Sequence, residues 1–211
     1  MRIGIIGVGH IGGTLARLFV GAGHEVAVSN SRGPETLASL VDELGDRAQA
    51  MTPAEAEQFG DVVVVSVPFG RYRELPTEAL AGKVVIDTNN YYPQRDGHFE
   101  ELDSDRTTSS ELLQAHLPGA RVVKAFNAIP WMRLRDDGRP AGDPERLGIP
   151  ISGDDEGAKR TVAELIDQIG FDPVDAGMLA EGGRKHQPGA PAYTEGLRTG
   201  ELRARLAAAG G

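Results

Sequence analysis

A doubly wound α/β fold with a mostly parallel sheet is predicted by three observations. Short apolar runs alternate with stretches of helical periodicity almost to the end of the chain. One run, Asp61 to Val67, is nearly all β-branched, as a strand buried on both faces requires. A glycine cluster, Gly7-Val8-Gly9-His10-Ile11-Gly12, stands between the first apolar run and the first helical stretch. Continuous apolar strands alternating with helices need helices on both faces of the sheet.

In order along the chain, Arg2 to Gly7 reads as a short buried strand, Ile11 to Ala22 as a helix and Glu25 to Ser29 as the second strand. Leu37, Leu40, Val41 and Leu44 recur at helical spacing, which makes Pro34 to Leu44 helical. Strands follow at Asp61 to Val67, Lys83 to Thr88 and Arg121 to Phe126, and a short one at Ile149 to Ser152 precedes a helix from Glu156 to Ile169. Thr108 and Glu111 have the spacing of a capping box ahead of Leu112 and Leu113. Two regions break the rhythm. Residues 91–106 are polar and acidic and carry Pro93 and Gly97; they read either as a lid at a strand end or as a long surface loop. After Gly177, Gly182-Gly183 and Pro188-Gly189-Ala190-Pro191 oppose regular structure until a last helix, Thr199 to Ala208.

A length of 211 residues suits one domain with an appendage: a main unit over 1–177 and an irregular extension over 178–211, packed on the same domain or on a second subunit. With no cysteine there is no disulfide and no thiolate zinc site, which is compatible with a reducing compartment. The apolar start is too short for a signal peptide, and no apolar run approaches the length of a membrane helix, so the expected setting is soluble and cytoplasmic. A formal charge of −9 argues against nucleic acid or an acidic membrane as partner, since either calls for a basic surface. A phosphorylated ligand must then be held locally, by helix N-terminal amides and one or two arginines.

The glycine cluster supplies such a place. It fits G-x-G-x-x-G with a strand before it, a helix after it and a second strand ending near residue 29, the context of a Rossmann dinucleotide site. Gly7 allows the tight turn, Gly9 lets the backbone approach a pyrophosphate, and Gly12 lets helix and strand pack closely; His10 and Ile11 complete the loop. NAD sites usually place an acid about 20 residues further on, to hold the ribose hydroxyls. Here the stretch reads Ser29-Asn30-Ser31-Arg32, without a carboxylate before Glu35. Asn30, Ser31 and Arg32 suit a 2′-phosphate instead, where each charge-assisted hydrogen bond contributes roughly 1.5–3 kcal/mol. NADP is therefore the expected cofactor; the alternative is a turn that only caps the next helix. Further strand ends belong to the same pocket if the sheet is doubly wound: Ser66-Val67-Pro68, Asp87-Thr88-Asn89-Asn90, and Ala125 to Pro130, with Asn127 and Ile129 at the nicotinamide end.

No triad or metal set is visible among the five histidines, and no catalytic residue is singled out. Hydride transfer does not require one, because the cofactor carries the reaction.

The glycine motif, Asn30-Ser31-Arg32, Arg121 to Pro130 (RVVKAFNAIP), Ile149 to Asp155 (IPISGDD) and Phe171 to Gly177 (FDPVDAG) occur in the order found in NADPH-dependent coenzyme F-420 (deazaflavin) oxidoreductases, which the chain resembles over roughly residues 1–180. The oxidoreductase domain of membrane metalloreductases is similar too. The resemblance implies hydride exchange between NADPH and a deazaflavin stacked on the nicotinamide, with Ala125 to Pro130 forming the nicotinamide end, Ile129 backing the ring, and a homodimer. Two departures stand out. Archaeal members carry a histidine where this chain has Asn127, and the tail after Gly177 is unlike their apolar helix. Alternatives to a deazaflavin are another small acceptor (flavin, ferric chelate, carbonyl or imine, with Tyr91, Tyr92 or His98 as proton donor) and a non-catalytic NADP(H) sensor.

Overall fold

The computed structural model of the protein describes residues 1–193 and 196–209. One eight-stranded sheet has the order β3-β2-β1-β4-β5-β6-β7-β8. Its first six positions follow the strand order of the Rossmann fold. The first half comprises β1 (Arg2–Ile6), α1 (His10–Gly21), β2 (Glu25–Ser29), a 3-10 turn at Pro34–Leu37, α2 (Ala38–Leu44), β3 (Ala48–Ala50), α3 (Pro53–Phe59), β4 (Val62–Val65), a second 3-10 turn at Phe69–Glu74, and β5 (Val84–Asp87). The second half comprises α4 (Pro93–Asp96), α5 (Glu100–Asp103), α6 (Ser109–His116), β6 (Arg121–Lys124), α7 (Trp131–Asp136), β7 (Gly148–Gly153), α8 (Glu156–Gln168), β8 (Asp172–Gly177), α9 (Leu179–Lys185) and α10 (Thr199–Ala208). Pairing is parallel from β3 to β6 and between β7 and β8, and antiparallel between β6 and β7.

Side chains of each central strand alternate between two cores. Val62 and Val64 enter the core with Leu15, Phe19 and Val162, whereas Val63 and Val65 enter the one with Phe69, Leu80 and Leu113. This two-sided burial is why the strands read as continuous apolar runs. Strand ends fall short of their expected bounds at Val65 and Lys124, because the residues beyond them turn into loops.

Sequence periodicity missed β3 and α3, each too short to show a repeat. The segment 91–106 is neither a plain loop nor a free flap: it holds the single turns α4 and α5, and Tyr91 and Phe99 pack edge-on against Phe69. The tail requires a correction. Gly182-Gly183 lie inside α9 instead of preventing it. A Cβ at Gly182 would stand 2.5 Å from Ser152 Oγ and 2.7 Å from the Ala176 carbonyl oxygen, so the glycine is what allows α9 to dock on the sheet. Docking offsets the helix cost of glycine, about 1 kcal/mol. The tail packs on its own chain: Leu202 and Leu206 of α10 lie with Val174, Ala176 and Ala192. Among the described residues no helix is long and apolar enough to cross a membrane.

Candidate dinucleotide site

The glycine loop does three different things. Gly7 has φ +94°, and a Cβ there would lie 2.2 Å from the Ser66 carbonyl oxygen. At Gly12 a Cβ would lie 1.9 Å from the Gly7 carbonyl oxygen, so α1 packs against the loop only without a side chain. Gly9 is the opposite case: a Cβ there would meet nothing within 4 Å. Its open face is a cradle at the start of the 12-residue α1, whose first turn has no side-chain cap and no acidic residue. Unpaired amides and the positive dipole end are thus left for an anion.

Gly9 lies where three clefts meet. The first, about 310 Å³, is lined by Gly7, Asn30, Ser31, Val67 and Pro68 together with Arg71 and Leu75. The second, about 600 Å³, is lined by His10, Arg17, Arg32, Trp131 and Arg135. The third, about 270 Å³, is lined by His10, Ile11, Val67, Pro68, Asn89, Asn90 and Tyr92. His10 does not act alone at this mouth; its ring stacks on Trp131 at 4.7 Å between centroids. At the end of β2, Asn30 shapes its own turn, accepting from the Arg32 amide at 2.8 Å and donating to Thr36 at 2.9 Å. Ser31 and Arg32 are left exposed, and among the described residues Arg32 has no carboxylate partner. Arg17, by contrast, is held by Glu43 at 2.7 Å.

At the third cleft Asn89 is buried, its Oδ1 accepting from the Val67 amide at 2.9 Å, while its Nδ2 has no partner. A buried donor without an acceptor costs about 1–3 kcal/mol, and a ligand amide or ribose oxygen would satisfy it. With the Gly9 cradle, this donor makes the site fit a dinucleotide.

Ala125, Asn127 and Ile129 are buried and line none of these three clefts. The chain leaves β6 through Phe126, whose φ of +62° is in the left-handed region, a conformation that costs a non-glycine residue about 1–3 kcal/mol. Asn127 then sits one layer below, donating to Asn90 Oδ1 at 3.1 Å and to the His186 carbonyl at 2.8 Å.

Beneath the clefts, Lys124 and His186 were not singled out from the sequence, and Asp87, read as part of a ligand-facing strand end, turns inward instead. Lys124 is fully buried at 3.7 Å from Asp87 and donates to the Asn89 carbonyl at 3.0 Å; burial holds its ammonium below the usual lysine range. Asp87 accepts from Ser110 at 2.6 Å and from the Asn89 amide at 2.9 Å, so the pair fixes the Asn89 turn from below. A lysine and an aspartate ending apolar strands were the available signal. His186, in the tail, had none.

Residues 2–91 match the family described as NADP oxidoreductase, coenzyme F420-dependent. The solved structure of a candidate F420-dependent NADP reductase from Arthrobacter sp. FB24 has 28% identity and a TM-score of 0.72, over 85% of this chain and 86% of that one. Over residues 2–91, less than half of its length, this chain is similar to that family. A hypothetical protein of Sinorhizobium meliloti is similar over nearly its full length, with 35% identity, a TM-score of 0.81, and coverage of 94% of this chain and 95% of that one. The rat metalloreductase STEAP3 is 36% identical over 85% of this chain. The chain spans about a third of the length of that curated relative, 34%. By its description, the family matched over residues 2–91 is one of NADP oxidoreductases.

Proposed function

We propose that the protein transfers a hydride between NADPH and a flat, deazaflavin-like acceptor. The observation that carries this reading is the Gly9 cradle opening at once onto the Ser31 cleft and the Asn89 cleft. An extended dinucleotide can lie across both, with its pyrophosphate on the α1 amides. Ser31 and Arg32 would hold the 2′-phosphate, and Val67 and Pro68 would form an apolar wall. The Asn89 Nδ2 donor would orient the nicotinamide half, above a floor fixed by the Lys124–Asp87 pair. Bound NADPH supplies the hydride, and the protein aligns the two rings and keeps water out. The homodimer and cytoplasmic setting stay part of the proposal, on the family resemblance and the absence of cysteine.

The test is NADPH oxidation followed by absorbance with purified protein, offering a deazariboflavin, then FMN, then a ferric chelate. Oxidation with the deazariboflavin supports the reading. Oxidation only with FMN or the chelate moves the acceptor toward the chemistry named for the rat relative, which is 36% identical. Tight NADPH binding without oxidation by any of them defeats the enzyme reading and leaves a sensor. Sedimentation at micromolar concentration tests the dimer.

A further inference from the structure

We infer that Tyr92 is the proton donor to the acceptor, and that Tyr193 from the C-terminal extension positions and recharges it. This rests on the hydride-transfer reading above, because an acceptor that gains a hydride on carbon must also gain a proton on nitrogen or oxygen.

Of the aromatic and imidazole groups in segment 91–106, only Tyr92 faces the third cleft, beside Asn89 and Asn90. The Tyr91 hydroxyl is committed to Asp103 at 2.6 Å, and exposed His98 contacts the same carboxylate at 2.9 Å. Tyr92 Oη lies 2.5 Å from Tyr193 Oη. Either hydroxyl can donate in that bond, and the neighbours show what else Tyr193 touches. Asn127 donates to Asn90 Oδ1, which orients the Asn90 amide so that Nδ2 donates to the Asn127 carbonyl at 2.9 Å and to Tyr193 Oη at 3.4 Å. Tyr193 accepts from Asn90 and keeps its one proton to give. In the arrangement we infer, that proton goes to Tyr92, and the proton of Tyr92 is left for a ligand in the cleft.

Arg95 holds the group in place. Its guanidinium, paired with Asp96 at 2.8 Å, lies 5.0 Å from the centre of the Tyr92 ring and donates to the Asn90 carbonyl at 2.7 Å, so it ties the ring to Asn90. The groups facing Tyr92 are Arg95, Tyr193 and Asp96, whose carboxylate accepts from the Tyr92 amide at 2.9 Å. Burial, followed by the bond to Tyr92, holds the Tyr193 phenol above the usual range, so Tyr193 stays protonated and ready to donate. In the step, the Tyr92 O–H bond breaks and an N–H or O–H bond forms on the acceptor, while the hydride from NADPH brings the two electrons. The Tyr92 phenolate then takes the proton of Tyr193, which regains one from solvent.

The test uses the full chain with NADPH and a deazariboflavin. Tyr92→Phe should lower kcat about 100-fold or more, the range of general acid catalysis. Its NADPH affinity, read by fluorescence, should stay within about twofold, since a general acid adds little to ground-state binding. The absorbance shift of the oxidised deazariboflavin in the dead-end complex with NADP+ should be lost, because the hydrogen bond from the phenol is gone. Tyr193→Phe should lower kcat less than Tyr92→Phe and leave NADPH affinity within about twofold, because Tyr92 keeps its own proton and loses only the group that recharges it. If the wild type reduces the deazariboflavin and Tyr92→Phe does so within about threefold, the donor assignment is overturned and hydride transfer stands. A parallel fall in kcat and NADPH affinity also overturns it, since Tyr92 would then be structural. If the wild type reduces no acceptor, both readings fall together.

Discussion

His186 presents Nδ1 to Asn127 Oδ1 at 2.9 Å in the buried space beneath the third cleft. An amide oxygen only accepts, so the proton is on Nδ1, and Nε2 accepts from the Ser152 hydroxyl at 2.7 Å. The imidazole is thereby neutral and fully satisfied. The imidazole reaches this layer from the tail and ties α9 to Asn127, which in turn donates to Asn90. Replacing His186 with alanine should destabilise the protein by about 2–4 kcal/mol in urea denaturation, from the cavity and from the orphaned Asn127 and Ser152 groups.

The same contact makes a pH prediction. Burial, with Lys124 nearby, pushes His186 down to about 3 from its ordinary 6.5. The unfolded chain therefore binds a proton that the folded chain refuses, and stability falls as pH drops from about 6.5 toward 3. Above 6.5 the group contributes nothing to the slope. His186→Gln cannot titrate and should flatten the acid limb of a Tm-against-pH curve; an unchanged limb would mean that His186 is protonated in the folded protein.

Arg32 faces the second cleft without a carboxylate partner among the described residues, and a 2′-phosphate would supply one. Arg32→Ala should weaken NADPH by about tenfold to a hundredfold, the worth of a charge-assisted hydrogen bond, and leave NADH nearly unchanged. Equal weakening of both cofactors in a fluorescence titration would remove Arg32 from the 2′-phosphate.

Gly9 and Gly12 make a matched pair. At Gly9 an added methyl meets nothing within 4 Å, so Gly9→Ala should fold with an unchanged Tm while filling the cradle and weakening NADPH at least about tenfold by blocking the backbone's approach to the pyrophosphate. At Gly12 the methyl would stand 1.9 Å from a backbone oxygen, so Gly12→Ala should lose stability before it loses anything else. A calorimetric scan and a binding titration on both variants separate the two roles; Gly9→Ala binding like the wild type would move the pyrophosphate off this loop.

The fold was legible where a pattern repeats over several residues. The glycine motif, the valine run of β4 and the 13 residues of α8 carry their period or spacing in the sequence. Three-residue β3 is too short to carry one, and α9 contains two glycines that sequence reasoning reads as breakers. The site divides the same way. Gly7, Gly9 and Gly12 are read from spacing because backbone geometry dictates them locally. The layer beneath the clefts was hidden, since Lys124 reaches Ser109, and Asn127 reaches His186, over long separations that only the folded sheet closes.

Glu57 carries the last prediction. Its carboxylate is fully buried beside the first cleft, and neither oxygen has a hydrogen-bond partner. The nearby Lys83 ammonium donates to the carbonyls of Glu57 and Gln58 in α3 and of Gly60 just after it, the Glu57 and Gly60 contacts being 2.5 and 2.8 Å. Burial therefore pushes the Glu57 carboxyl up to about 7 from its ordinary 4.5, with Lys83 opposing. The folded chain holds this proton more tightly than the unfolded chain does, so the stability it carries is complete below about 4.5 and is lost as pH rises through about 7. The loss is of the order of 3 kcal/mol, from a shift of between two and three pH units. Between about 4.5 and 6.5 this slope opposes that of His186, and the two substitutions should expose opposite limbs. Glu57→Gln should leave stability nearly unchanged at pH about 5, where both side chains are neutral, and raise it at pH about 8, where only the glutamate would be charged. Urea denaturation at the two pH values decides it: a glutamine variant less stable than the wild type at the higher pH would mean that Glu57 is ionised there with a partner.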